Sequence, residues 1–230
     1  MDRFLQLHVL TVYPPANLNR DDFGRPKTAV LGGTERLRVS SQCLKRSWRT
    51  SEVFAAALAG RLGVRTKSMG RYLYLALTTG RPLAELLAPD SGAQLRMKSE
   101  DVDKAALKKA AALADVFGKL KSPKAADLEN NVLLELDIEQ LAHFGPAELE
   151  ALQQSVDALR AGGEPDAATL GLLRKKPGAV DIAMFGRMLA DDPIFNVEAA
   201  VQVAHAVSVN AVRVEEDYFT AVDDLNRREE

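Results

Sequence analysis

Apolar and polar positions divide the 230-residue chain into stretches of different texture. Phe4 to Tyr13 is rich in aromatic and branched apolar residues and reads as a first strand, ended by Pro14-Pro15. Ala16 to Gly33 carries Asn, Asp, Gly and Pro and closes on Gly32-Gly33, the composition of a long ordered loop. Loops of that length inside a compact domain are usually functional. Arg36 to Val39 is short and extended, and Ser40 or Ser41 can cap a helix running to Gly60. From Gly60 to Gly178 the chain becomes rich in Ala, Leu, Lys and Glu, with helical periodicity over Asp101–Lys119 and Pro146–Arg160. The short apolar run Asn131–Asp137 suits a strand or part of a helix. Val180–Met188 reads as a buried strand and Val197–Val209 as a helix.

The order strand, helix, helical insertion, strand, helix predicts an α+β chain built on a ferredoxin-like βαββαβ sheet. Residues 1–59 and 180–210 would form that discontinuous domain, residues 60–179 a mainly helical insertion, and residues 211–230 a partial extension. The sheet needs a closing strand. Glu216–Leu225 mixes charged and apolar groups too closely for a central one, so the chain is expected to lack its C-terminal part.

Composition narrows the class. Hydrophobic residues make up 47% and charged residues 27%, an ordinary globular balance. No apolar run approaches the ~18 residues of a membrane span, and the N-terminus lacks the pattern of a signal peptide. The single cysteine, Cys43, excludes an internal disulfide framework and is expected to be buried. Together these features predict a cytoplasmic protein.

Charge changes the picture. The net charge is −2, yet between Asn19 and Arg49 eight cations (Arg20, Arg25, Lys27, Arg36, Arg38, Lys45, Arg46, Arg49) face three carboxylates (Asp21, Asp22, Glu35). That block carries +5 and the rest of the chain −7. Local charge sets a phosphate-binding surface. On a helical projection with Gln42 at zero, Lys45, Arg46 and Arg49 fall at about 300°, 40° and 340°, on one face. Leu44 and Trp48 fall at about 200° and 240°, so the opposite side is available for burial against a sheet. Ser40, Ser41 and the free amides of the first turn would make the helix start an anion site. Arg36 and Arg38 alternate on the preceding strand and would extend the positive track.

Candidate catalytic groups are sparse. Asp21-Asp22 could hold Mg²⁺ or act as a general base in RNA cleavage. His8, His143 and His205 have no zinc-site spacing, Cys43 has no histidine near in sequence, and Gly32-Gly33 lacks the rest of a P-loop. No metal and no cofactor is expected.

The block Leu18-Asn19-Arg20-Asp21-Asp22, Lys27, Gly32-Gly33, Arg36-x-Arg38-x-Ser40-Ser41-Gln42-x-Leu44-Lys45-Arg46 resembles the N-terminal signature of CasC. CasC is the backbone subunit (the "Cas seven" family) of the type I-E CRISPR surveillance complex, Cascade, an antiviral ribonucleoprotein. Val180–Met188, Val201–Ala206 and Asp217–Leu225 resemble it too.

The resemblance implies an RRM-like palm carrying a helical finger domain and a thumb hairpin. Several copies would assemble along one crRNA, together with other Cascade subunits. Each would grip the guide backbone and leave bases free to pair with target DNA. By position, Arg20, Lys27, Ser40, Gln42, Lys45 and Arg49 match the family's guide-backbone contacts, and Arg46 joins them from the helix face. Met184, Phe219 and Thr220 look like positions that pack against displaced nucleotides. The resemblance implies a non-catalytic subunit. The alternative is a metal-dependent RNA endonuclease using Asp22, as in a related backbone family that cuts RNA with a loop aspartate.

Overall fold

Gly32 and Gly33 adopt φ values of 64° and 76°. With Leu31 opposite Thr34, they form the two-residue turn with two positive φ angles that matches the twist of a hairpin. They join β1 (Thr28–Leu31) to β2 (Thr34–Val39). The glycine pair is therefore a strand connection, and the irregular loop ends earlier than its composition suggested. Far along the chain, β5 (Ala206–Val207) pairs antiparallel with the end of β2, giving the order β1-β2-β5. The computed structural model describes residues 4–163 and 176–215.

The chain divides into two compact units: Met1–Ser47 with Val203–Glu230, and Trp48–Gln202. The helix predicted to run to Gly60 is two helices, α1 (Ser41–Arg49) and α2 (Glu52–Ala57). Ser51 separates them, accepting the Phe54 N–H at 3.3 Å as the cap of α2.

Three expected elements differ in kind. Phe4–Tyr13 forms no strand: an alternating apolar stretch still needs a ladder partner, and no described residue supplies one. Its side chains stand open, with Phe4 95% and Val12 94% exposed. Val180–Met188 is not a strand but the short helix α8 (Val180–Phe185), left through Gly186 at φ 82°. Six residues, five of them apolar, carry too little periodicity to separate the two states. Val197–Val209 is not a helix. Its branched residues recur at Val197, Val201, Val203, Val207 and Val209, a period-two signal that suits extended chain and ends in β5.

The second unit holds the core. β3 (Val64–Thr66) pairs with β4 (Ala142–Phe144) beside a helical layer. In α3 (Met69–Thr79) the residues Leu73, Tyr74 and Ala76 are buried. In α5 (Lys104–Asp115), Ala106, Ala110 and Leu113 recur at helical spacing and face inward. The prediction over Pro146–Arg160 matches α7 (Pro146–Arg160), whose Leu152, Val156 and Leu159 are buried. The shorter α4 (Leu83–Leu86) and α6 (Ala125–Asn130) complete the helices, and Val132–Leu136 is a 3₁₀ turn. Phe117 and Phe144 pack ring to ring at 4.5 Å. At Gly70 a Cβ would lie 2.4 Å from the Leu136 carbonyl, so only glycine lets α3 approach this closely.

Buried charge is clasped inside this unit. Arg187 donates to both carboxylate oxygens of Glu148, at 2.8 and 2.7 Å, while Glu148 also accepts the Gly145 N–H that opens α7. The architecture is α+β. Among the described residues no helix is long and apolar enough to cross a membrane.

Candidate nucleic-acid interface

The loop before β1 is organised by one carboxylate. Asp21 Oδ1 accepts the N–H groups of Phe23 and Arg25, both at 2.9 Å, and the Asp21 amide donates to the Arg25 carbonyl at 2.8 Å. This is the local bonding by which Asp builds turns. Asp21 is thereby committed to structure, and Asp22 is exposed beside it. Among the described residues no group of three or more His, Cys, Asp or Glu could hold a metal ion.

Asn19 ties this loop to α1. Its carbonyl accepts the Lys27 N–H at 2.7 Å, and its side-chain oxygen accepts the Ser40 N–H at 2.9 Å. The Arg38 N–H in turn donates to the Lys27 carbonyl at 2.8 Å. Arg20, Lys27 and Ser40 are thus brought into one bonded cluster from three parts of the sequence. Asn19 stood inside the recognised block without an assigned role; its side chain is the clasp.

Ser40 is the cap of α1, its hydroxyl accepting the Cys43 N–H at 3.2 Å. The Ser41 N–H donates to His205 Nδ1 at 2.9 Å. The amides expected to serve an anion are therefore partly spent inside the protein. His205 was read as sitting on an apolar helix. It lies instead in extended chain, where a side chain remote in sequence can reach the helix start.

Along α1, Gln42 and Arg46 are exposed, while Lys45 and Arg49 are half-buried. Among the described residues no carboxylate pairs with Lys27 or Lys45. The opposite side is less covered than expected: Leu44 is half-buried and Trp48 is 44% exposed. Cys43 is a free, half-buried thiol rather than a buried one.

The two strand arginines have separate fates. Arg36 is spent on backbone carbonyls, donating to Leu31 and Ser208 at 3.0 Å and also to Val209. It closes the sheet instead of extending a positive track. Arg38 Nε is buried with no hydrogen-bond partner among the described residues.

Arg49 has a carboxylate nearby in its own unit. Its Nη1 lies 3.8 Å from Asp181 Oδ2, which His143 Nε2 also approaches at 2.9 Å. His143, isolated in sequence, is therefore not isolated in space. Burial pushes the Asp181 carboxyl up, but contact with His143, the Gly63 N–H and the His143 and Arg49 charges outweigh it. They hold it below its ordinary value of 3.8. Met184 is half-buried on α8, in the second unit. Phe219 and Thr220 lie outside the described residues.

No curated protein matches the chain. Solved structures do. A chain of a structure described as "CRISPR RNA-guided surveillance complex, pre-nicking" is 31% identical, with a TM-score of 0.64 over 93% of this chain and 55% of that one. A chain of another "CRISPR RNA-guided surveillance complex" is 27% identical, with a TM-score of 0.55 over 86% of this chain and 56% of that one. The present chain thus spans about half the length of the solved chains it matches. The family described as CT1975-like protein matches residues 5–230, nearly the whole sequence, and the chain belongs to that family.

Proposed function

We propose that this chain is a crRNA-binding backbone subunit of a Cascade-type CRISPR surveillance complex, of the CasC kind found in type I-E. The observation that carries the reading is the bonded cationic cluster. Asn19 joins the loop of Arg20 and Lys27 to a helix start, from which Ser40, Gln42, Lys45, Arg46 and Arg49 follow. Likeness to chains of RNA-guided complexes supports RNA as the anion. The orphaned Arg38 Nε supports it as well, because a buried donor without a partner is a standing cost that a phosphate oxygen relieves.

In this reading, residues 1–59 and 180–210 form an RRM-like palm, residues 60–179 a finger domain, and residues 211–230 part of a thumb. Met184, Phe219 and Thr220 pack against displaced nucleotides. Copies of the chain line up along the crRNA beside other Cascade subunits in the cytoplasm. The protein positions the guide backbone without reading bases or cutting it, and base pairing with target DNA supplies sequence recognition.

The test is salt-dependent binding of a fluorescein-labelled single-stranded RNA to wild type, Lys27→Ala and Lys45→Ala. Each lost phosphate contact is expected to weaken binding and to flatten the plot of log affinity against log salt by about 0.7. Unchanged slopes for both variants refute the contacts.

A further inference from the structure

The β1–β2 hairpin carries a pair of cations that lies off the basic helix. Its register sets Thr28 opposite Leu37 and Ala29 opposite Arg36. One residue further out, the Arg38 N–H donates to the Lys27 carbonyl at 2.8 Å, so Lys27 and Arg38 stand opposite each other. Residues opposite in an antiparallel pair project from the same face. Two half-buried cations thus share one spot on the sheet, inside one compact unit.

No counter-charge balances them. Glu35 is the hairpin's carboxylate, and alternation puts it on the other face, where it accepts the Thr28 hydroxyl at 2.7 Å. Asp21 is occupied by the Phe23 and Arg25 amides. Arg36 shares the face of Arg38 but is closed by the carbonyls of Leu31, Ser208 and Val209. Among the described residues neither the Lys27 nor the Arg38 side chain has a hydrogen bond or an ion pair, and Arg38 Nε is buried as well. Like charges set directly opposite across a ladder destabilise it. A buried donor left unmade adds a further cost. Folding therefore gives no reason for this pair, whereas an anion between the two side chains removes both costs.

The backbone beneath the pair is fixed. The Lys27 N–H donates to the Asn19 carbonyl at 2.7 Å, while the Lys27 carbonyl holds Arg38. On its other side Arg38 is paired with Val207 of β5. The side chains above are fastened by nothing. A guanidinium held by no bond turns toward a ligand without breaking one.

We infer that Lys27 and Arg38 together seat one phosphodiester of the bound RNA, which makes Arg38 a backbone contact in its own right. The Lys27 ammonium supplies a point charge, and the Arg38 guanidinium a planar fork that matches two phosphate oxygens. This assignment rests on the RNA-binding reading above and deepens it.

The test is binding of the labelled single-stranded RNA, at one fixed salt concentration, by Lys27→Ala, Arg38→Gln and the double variant. Arg38→Gln is expected to bind roughly fivefold more weakly, as for the loss of a charge-assisted contact. The double variant is expected to lose less than the product of the two single losses, because both changes empty the same seat.

Two results overturn the inference while leaving the RNA reading intact: Lys45→Ala weakens binding but Arg38→Gln does not, or the losses from Lys27→Ala and Arg38→Gln multiply independently. Lys27→Ala and Lys45→Ala both without effect overturn the RNA reading and the inference with it. If Arg38→Gln does not fold, Arg38→Lys decides. Charge is kept there but the fork is lost, so binding weaker than wild type supports the seat, and wild-type affinity refutes it.

Discussion

The two units are stabilised by different means. Every fully buried apolar side chain among the described residues lies between Met69 and Leu189, inside the Trp48–Gln202 unit. The described part of the other unit has none, and it leaves Val12, Val30 and Val209 more than three-quarters exposed. It is held by ladders, a glycine turn and short side-chain clasps: Asn19 on Ser40, Asp21 on its own loop, His205 on Ser41. One unit is specified by packing, which tolerates many apolar sequences of equal volume. The other is specified by hydrogen bonds, which demand particular residues. The same difference explains why the recognised residue block lies where the core does not.

Breaking the comparison from the packed side gives the largest effects. Glu148→Ala leaves Arg187 buried without its carboxylate and is expected to cost about 3–5 kcal/mol in a denaturant titration. Leu113→Ala opens a cavity between α3 and α5 and should cost about 2–5 kcal/mol. If either proves harmless, this unit is not the packed one. Glycine chemistry in the other unit comes next: Gly33→Ala forces a side chain into positive φ and should destabilise the hairpin by about 1–2 kcal/mol, read as faster amide exchange in β1 and β2. RNA affinity should fall for Lys45→Ala while its melting temperature stays within a degree or so, since surface changes alter stability by less than about 0.5 kcal/mol.

The smallest effect is confined to acid. Asp181 is held below 3.8, so its contribution is present at neutral pH and is lost as pH falls through the lowered value. Asp181→Asn should therefore narrow the stability gap between pH 7 and strong acid. A mutant with the same acid limb as wild type would show that Asp181 carries none of it.

Legibility followed the same division. In the packed unit α7 was readable to the residue, and α5 within a few residues, because buried Ala and Leu recur at 3.6. α8 was misread because six residues, five of them apolar, hold no period. In the bonded unit the cationic face of α1 could be projected from residue spacing alone. Its supports could not: the bond between His205 and Ser41 spans most of the chain, and nothing local announces it. Gly32-Gly33 was visible as a break, but its hairpin geometry became clear only with β2 paired on both sides. The surroundings of Asp181 were hidden for the same reason, since Arg49, Gly63 and His143 are scattered in sequence.

The bond from Lys27 to Asn19 closes the intervening residues into a loop whose two ends are pinned together. Whatever lies between those pins can change length without moving Lys27 relative to the helix start that Asn19 also holds. A designed chimaera can therefore vary the residues around Asp22 and Phe23 as a cassette, provided that Asp21 and the Arg25 amide it holds are kept. The spacing of Lys27 from the helix start would survive the exchange, because it is set at the clasp and not by the contour of the loop.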